Sequence, residues 1–388
     1  MEGYSVGMNG TRKLFEKNNR PDLINLHQIK YRHRMVTITI PGKDGRFSDR
    51  ELSILLSELN YCFTHYPFSV GIVIDLGEVQ FSDKLVYVLL ECVIDYVLRE
   101  RGQKIAWKFT VDPYIMSEGI RYSPLHFSDR NRFQKAFDFS MQEKHYRRVL
   151  SGDIPPESSK LSDLMFDVVH FLQNNNVPQD TCMDLGEVVV ELAGNAIEHC
   201  KADTLVDLDI TDGYVHVENR HHCYGLNVCV LNFSDINFPD LLRNRMTSQQ
   251  QFPERYEEVK AAYHYHRKFF DDTYDEDDFF TISSFQHRVS GSPEKKEAGG
   301  VGLTRLIRSI EDRAEDHTCY IFSANNILFF KPLYMKLNDD DFTGFNSEGR
   351  YLDGIPDKTN FEKLITYFPG TGFNLNFVIN EDGDGHGE

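Results

Sequence analysis

The chain has a single tryptophan, no Cys-x-x-Cys pair and no excess of basic residues. Its seven cysteines, at 62, 92, 182, 200, 223, 229 and 319, are odd in number and scattered. That spacing argues against a disulfide framework and a zinc site, so reduced thiols in a cytoplasmic protein are expected. No stretch approaches the roughly 20 apolar residues that a membrane helix needs. The first thirty residues carry Arg12, Lys13, Glu16, Lys17 and Arg20 and lack the apolar centre of a signal peptide. Against 42 Lys and Arg stand 60 Asp and Glu, a net charge of −18. This balance speaks against direct nucleic-acid binding, which requires a basic face to neutralise phosphates. Internal repeats and low-complexity blocks are also lacking.

What the chain does have is apolar material. Of its 388 residues, 40% are hydrophobic and 13% aromatic, which is enough to build real cores. At about 150 residues per domain, two or three domains are expected. The clearest joint is Ser151-Gly152-Asp153-Ile154-Pro155-Pro156-Glu157-Ser158-Ser159, where prolines and small polar residues interrupt any periodicity.

Before that joint the pattern alternates. Met35 to Ile40 reads as a strand, and Ser48 to Phe63 as a helix with Leu52, Leu55, Leu56 and Leu59 on one face. Val70 to Leu76 is a strand apolar on both sides, Leu85 to Leu98 a helix, and Gln103 to Phe109 a third strand. A β-α-β-α-β order implies an α/β unit. Within it, Ile74-Asp75-Leu76-Gly77-Glu78-Val79-Gln80-Phe81-Ser82-Asp83 resembles the STAS domain of anti-sigma-factor antagonists. The resemblance implies a serine or threonine phospho-acceptor after Asp83, but Lys84 and Leu85 stand there. Packing or partner docking is therefore the plainer reading of this unit, with Ser82 the nearest remaining hydroxyl.

Beyond the joint, Leu161, Leu164, Met165, Val168, Val169 and Leu172 follow helical spacing. A second helix runs through Asp184-Leu185-Gly186-Glu187-Val188-Val189-Val190-Glu191-Leu192-Ala193-Gly194-Asn195-Ala196-Ile197-Glu198-His199. Its apolar stripe is Leu185, Val188, Val189, Leu192, Ala196 and Ile197, while Glu191 and Asn195, four apart, are neighbours on another face. Gly194, costly inside a helix by about 1 kcal/mol, would leave bare backbone beside Asn195 for a close approach. A hundred residues later, Ala298-Gly299-Gly300-Val301-Gly302-Leu303-Thr304-Arg305-Leu306 is a glycine loop entering a helix, a combination suited to phosphate.

Together, Glu-Leu-x-x-Asn-Ala-x-x-His and Gly-Gly-x-Gly-Leu resemble the GHKL superfamily of ATP-binding domains, and most closely the anti-sigma-factor serine kinases. The resemblance implies a Bergerat-fold α/β sandwich over residues 158–380. By the same resemblance, Glu191 would be the general base and Asn195 the Mg²⁺ ligand. Gly299, Gly300, Gly302 and Leu303 would hold the phosphates of ATP. Asn232 falls where the family has its adenine-binding Asp, Ser234 where it has the first glycine of Asp-x-Gly-x-Gly, and Thr371 in the last strand's Gly-Thr. Residues 236–298 fall at the ATP lid, whose Asp271–Asp278 run holds six acids in eight positions and reads as a solvated surface.

The expected organisation is thus a STAS-like domain (1–110), a connector (111–157), a GHKL domain (158–380) and an acidic tail (381–388). His221, His222, Cys223 and Cys229 are metal-ligand types without a zinc spacing and read as packing and surface residues. The function implied is an ATPase or serine/threonine kinase using Mg-ATP, or else a non-hydrolysing module in which the nucleotide gates partner binding. The partner would be a regulatory protein, STAS-type or sigma-factor-like, with homodimerisation left open.

Overall fold

The computed structural model describes residues 8, 10–40, 42, 45–111, 118–153, 158–216, 220–247, 254–286, 314–336, 338 and 342–380. It is a mixed α/β protein with two sheets. The first half contains α1 (Thr11–Lys17), β1 (Ile29–Arg32), β2 (Met35–Thr39) and β3 (Arg46–Phe47). It continues through α2 (Asp49–His65), β4 (Gly71–Phe81), α3 (Lys84–Tyr96) and β5 (Ile105–Val111). The parallel pairs β2–β4 and β4–β5 make the centre of the smaller sheet, with β1 antiparallel on its edge. Ser48 and Glu51 close a capping box at the start of α2, satisfying two amides that a helix start leaves unpaired. Asp83 caps α3, its carboxylate accepting from the Val86 amide at 3.0 Å.

The second half begins with α4 (Arg130–Asp138), β6 (Phe139–Met141) and β7 (His145–Leu150). There follow the helices α5 (Lys160–Asn174) and α6 (Gln179–Asn195), then β8 (Thr204–Ile210), β9 (Tyr214–Val215) and β10 (His222–Phe233). The helices α7 (Phe238–Thr247), α8 (Glu254–His266) and α9 (Glu276–Ser284) precede β11 (Ala314–Phe329) and β12 (Phe361–Asn380). The larger sheet has the order β11-β12-β10-β8-β7-β6, with β9 beside β10, and all its pairs are antiparallel. Residues 139–150, inside the stretch expected to be a connector, thus supply two strands of this sheet.

Strand alternation gives the larger sheet two inner faces. On one, Val206, Leu208, Val228, Val230, Phe373 and Leu375 pack under α5 and α6. On the other, Leu205, Leu231, Phe233, Tyr320 and Phe322 share a core with α1, α2, α3 and the smaller sheet. The layers therefore run helices, larger sheet, helices, smaller sheet. This second face also holds the most highly charged buried cluster. Lys84, at the start of α3, lies 2.6 Å from Asp207 and bonds Asp209, both on β8. Asp207 also receives the Arg147 guanidinium at 2.5 Å and the His145 ring at 2.9 Å, and Arg147 reaches across to Glu91 of α3. All these side chains are withdrawn from water. Burial alone would raise the Asp207 carboxyl, but Arg147 and Lys84 outweigh it and hold it well below the ordinary carboxylate range. Burial likewise disfavours the Lys84 ammonium, and the two carboxylates overcome it and raise its pKa.

Among the described residues no helix is long and apolar enough to cross a membrane.

The cluster yields a stability prediction. Lys84→Met keeps much of the side chain's length but takes the shared cation from two buried carboxylates, and should cost about 3–5 kcal/mol in urea unfolding at neutral pH. Adding Asp209→Asn should recover part of that loss, since it removes one of the uncompensated charges. Because the folded pKa of Asp207 is depressed, its contribution should hold at every pH above the ordinary value of 3.8 and fade only as pH falls through the depressed value. A stability unchanged in Lys84→Met would reject the cluster as the joint between the halves.

Candidate functional site

The site is built on the helical side of the larger sheet. The α5–α6 pair is fixed by close packing at Gly186, where an added Cβ would stand 2.8 Å from Met165 Sδ and 2.9 Å from Val169. Gly194 differs. A methyl there would meet only Leu161, at an ordinary 3.5 Å, so among the described residues packing does not require the glycine beside Asn195. The expected stripe of α6 is buried, and Glu191 and Asn195 are half-buried on the helix's other side. After Asn195 the helix widens into a π-turn (Ala196–Cys200), and Lys201 ends it in the left-handed region, φ 50°. Thr204 then starts β8, so the C-terminal end of α6 stands at the end of the sheet where Thr204 lies.

Strand register brings Thr204 beside Asn232 and Asn232 beside Thr371. Residues directly opposite in antiparallel strands point to the same face, and this row faces the α6 side, as its neighbours Val206, Val230 and Phe373 do. Asn232 and Thr371, 139 positions apart in sequence (371 − 232), are thus in direct cross-strand contact. Thr204, which sequence reasoning missed, is the third member. All three are buried, with Asn232 only 5% exposed. Among the described residues the Asn232 Oδ1 accepts no hydrogen bond. A buried acceptor left unmet costs about 1–3 kcal/mol, so it is worth asking what donor it would serve.

Ser234, expected near the same place, turns its hydroxyl to its own chain and accepts from the Ile236 amide at 3.0 Å. Its backbone amide donates to Pro369 O at 3.1 Å. Gly370 sits at φ 116°, and a Cβ there would be 2.4 Å from Asn232 O and 2.9 Å from Ser234 N. The turn before Thr371 is also tied to the start of α7. Asn237 Oδ1 accepts from the Gly370 amide at 3.2 Å, the Asn237 amide donates to the Tyr367 hydroxyl at 2.8 Å, and Ser323 joins Gly370 O to the Phe238 amide.

The described part of the 236–298 segment is helical and packed. The acidic run is solvated at Asp271, Asp272 and Glu276, as expected, but Asp278 is buried. Asp275 and Asp278 form the capping box of α9, and Lys363 of β12 reaches both at 2.7 Å. Burial pushes Asp278 up to about 7, even against the pull of Lys363. Asp271 pairs with Lys358 in the same way. These pairings join residues almost ninety positions apart, which is why a local reading of charge overlooks them. His266, within the aromatic stretch 263–266, bonds the Tyr274 hydroxyl at 2.7 Å and Tyr351 O at 2.6 Å.

Gly299, Gly300, Gly302 and Leu303 lie outside the described residues, as do Lys295, Lys296 and the tail 381–388. No group of metal-ligating side chains forms among the described residues. His221 contacts Asn380 at 3.1 Å, and Cys223 and Cys229 are buried in β10. At the expected phospho-acceptor position, Lys84 is sealed in the ion cluster, whereas Ser82 is exposed. Comparison with protein families, curated proteins and solved structures returns no match for this chain.

Gly370→Ala tests how closely the row is held. A side chain there must adopt a strained φ and displace the Asn232 carbonyl, at a cost of about 1–3 kcal/mol for the conformation alone. The variant should be correspondingly less stable in thermal or urea unfolding. A fully stable Gly370→Ala would show that β10 and β12 can part at this end.

Proposed function

We propose that the chain is a nucleotide-binding regulatory protein of GHKL type, taking Mg-ATP between α6 and the Thr204–Asn232–Thr371 end of the larger sheet. One observation carries the reading: the buried Asn232 Oδ1, without a hydrogen-bond partner among the described residues, stands in register with Thr371, at the end of the sheet reached by the C-terminus of α6. An exocyclic amino group of adenine would supply the missing donor. The element order is compatible with the resemblance, since α5 and α6 lead into β8, β9 and β10, helices follow, and β11 and β12 extend the sheet beyond β10.

The donor set suits the group. The Asn195 amide oxygen would hold Mg²⁺, a hard cation that prefers oxygen. Bound Mg²⁺ would neutralise phosphate charge. Glu191, one turn earlier on the same helix, would orient the attacking hydroxyl or water and accept its proton. The backbone amides of Gly299, Gly300, Gly302 and Leu303 would line the phosphates. Thr371 would add a hydroxyl beside the base.

A kinase or ATPase is the first form of this reading. The second is a nucleotide-gated interaction module, and Lys84 favours it. A buried lysine at the STAS-like phospho-acceptor position leaves that half no hydroxyl there to phosphorylate. In either form the partner is a regulatory protein of STAS or sigma-factor type.

Calorimetry with ATP should show Mg²⁺-dependent binding in the wild type and its loss in Asn195→Ala. Equal affinity in that variant would sink the assignment. Turnover separates the two forms. If ADP is produced, Glu191→Gln should keep binding but lose about 10²–10⁴ in rate, because an amide cannot accept the proton. Tight binding without ADP from either protein would select the gated module.

A further inference from the structure

We propose that this site accepts 6-amino and 6-oxo purine nucleotides alike, an inference that rests on the nucleotide-binding reading above and adds what the base recognition would be. The three side chains of the row, Thr204, Asn232 and Thr371, carry no charge. A hydroxyl rotates to donate or accept, and an amide holds one acceptor and one two-proton donor on the same planar group. Among the described residues no partner accounts for Oδ1.

Two pairings follow, related by a half-turn of the Asn232 amide. With adenine, Oδ1 accepts from the 6-amino group while Nδ2 donates to ring N1. With hypoxanthine or guanine, Nδ2 donates to O6 while Oδ1 accepts from the N1 proton. Each base meets one donor and one acceptor, so neither leaves a buried group unpaired. A carboxylate in the same place would behave differently. It only accepts, so with either base it would meet one donor, the 6-amino group or the N1 proton, and would face a lone pair at the neighbouring position, N1 or O6. Asn232 is thus the residue that pairs with the base, and its carrying both a donor and an acceptor is what lets it serve either edge. Gly370 supports it, because its close approach to the Asn232 carbonyl holds the backbone of this strand residue in place.

The test is calorimetric titration of the full chain with ATP, ITP and GTP in the presence of Mg²⁺. ITP differs from ATP chiefly at the 6-position and the N1 proton, so it reads Asn232 most directly. GTP adds a 2-amino group and reports the room beside the base. The expected result is that ATP and ITP bind within about threefold of one another, a difference smaller than one mismatched hydrogen bond produces. Asn232→Asp loses the Nδ2 donor that both pairings use and should weaken ATP and ITP alike, by roughly 10–100-fold. ATP binding with ITP weaker by tenfold or more in the wild type would overturn the inference and leave the nucleotide reading standing. Unchanged binding of both nucleotides in Asn232→Asp would also overturn it, by removing Asn232 from the base contact. If none of the three nucleotides binds, the nucleotide reading falls and takes this inference with it. The wild-type comparison decides the matter even where the aspartate variant does not fold.

Discussion

Lys84 reaches from the first turn of α3 into the larger sheet, where its ammonium is shared by Asp207 and Asp209 out of contact with water. Desolvating three charges is expensive, and the arrangement survives only because each is met at close range and Arg147, His145 and Asn227 saturate what remains. Apolar side chains could fill the same volume without that cost. What a charge cluster adds is a single permitted alignment. Sliding α3 by a turn along the sheet would strand Lys84 and Glu91 opposite apolar neighbours, so the relative position of the two sheets is fixed more sharply than shape alone would fix it. Tyr320 of β11 reinforces the alignment by donating to Asp83, the cap of α3, at 2.7 Å.

The same strand serves both faces of the sheet. β8 sends Thr204, Val206, Leu208 and Ile210 towards α6 and Asp207 and Asp209 towards α3. The candidate nucleotide end and the ion cluster are therefore back to back on one strand, separated by the thickness of a sheet. Both depend on the register of β8 against β10, which the pairing of Asn232 with Thr204 and of Asn227 with Asp209 states twice over.

The elements most legible in the sequence were those whose stability is local. Leu185, Val188, Val189 and Leu192 repeat at helical spacing and are buried as that spacing requires. The β-α-β-α-β order of the first half was equally plain, and so was the strand carrying Asn232. The rest depended on partners far away in the chain. β7 reads His-Tyr-Arg-Arg-Val-Leu, a sequence whose charges disguise a buried strand until Asp207 and Glu91 are placed against Arg147. The acidic run reads as a solvated surface, which holds for Asp271, Asp272 and Glu276, while the burial of Asp278 shows only once Lys363 is placed beside it from the far end of the chain. Thr204 carried no signal of its own, because a threonine opening a strand is ordinary and only register sets it beside Asn232.

One consequence concerns how the molecule comes apart. The helices α1, α2 and α3 form a layer with a sheet on either side, and α3 is buried along nearly its whole length. Neither sheet keeps its core if that layer leaves. The two halves therefore belong to one cooperative unit, and the backbone amides of α3 exchange with solvent only when the whole protein opens.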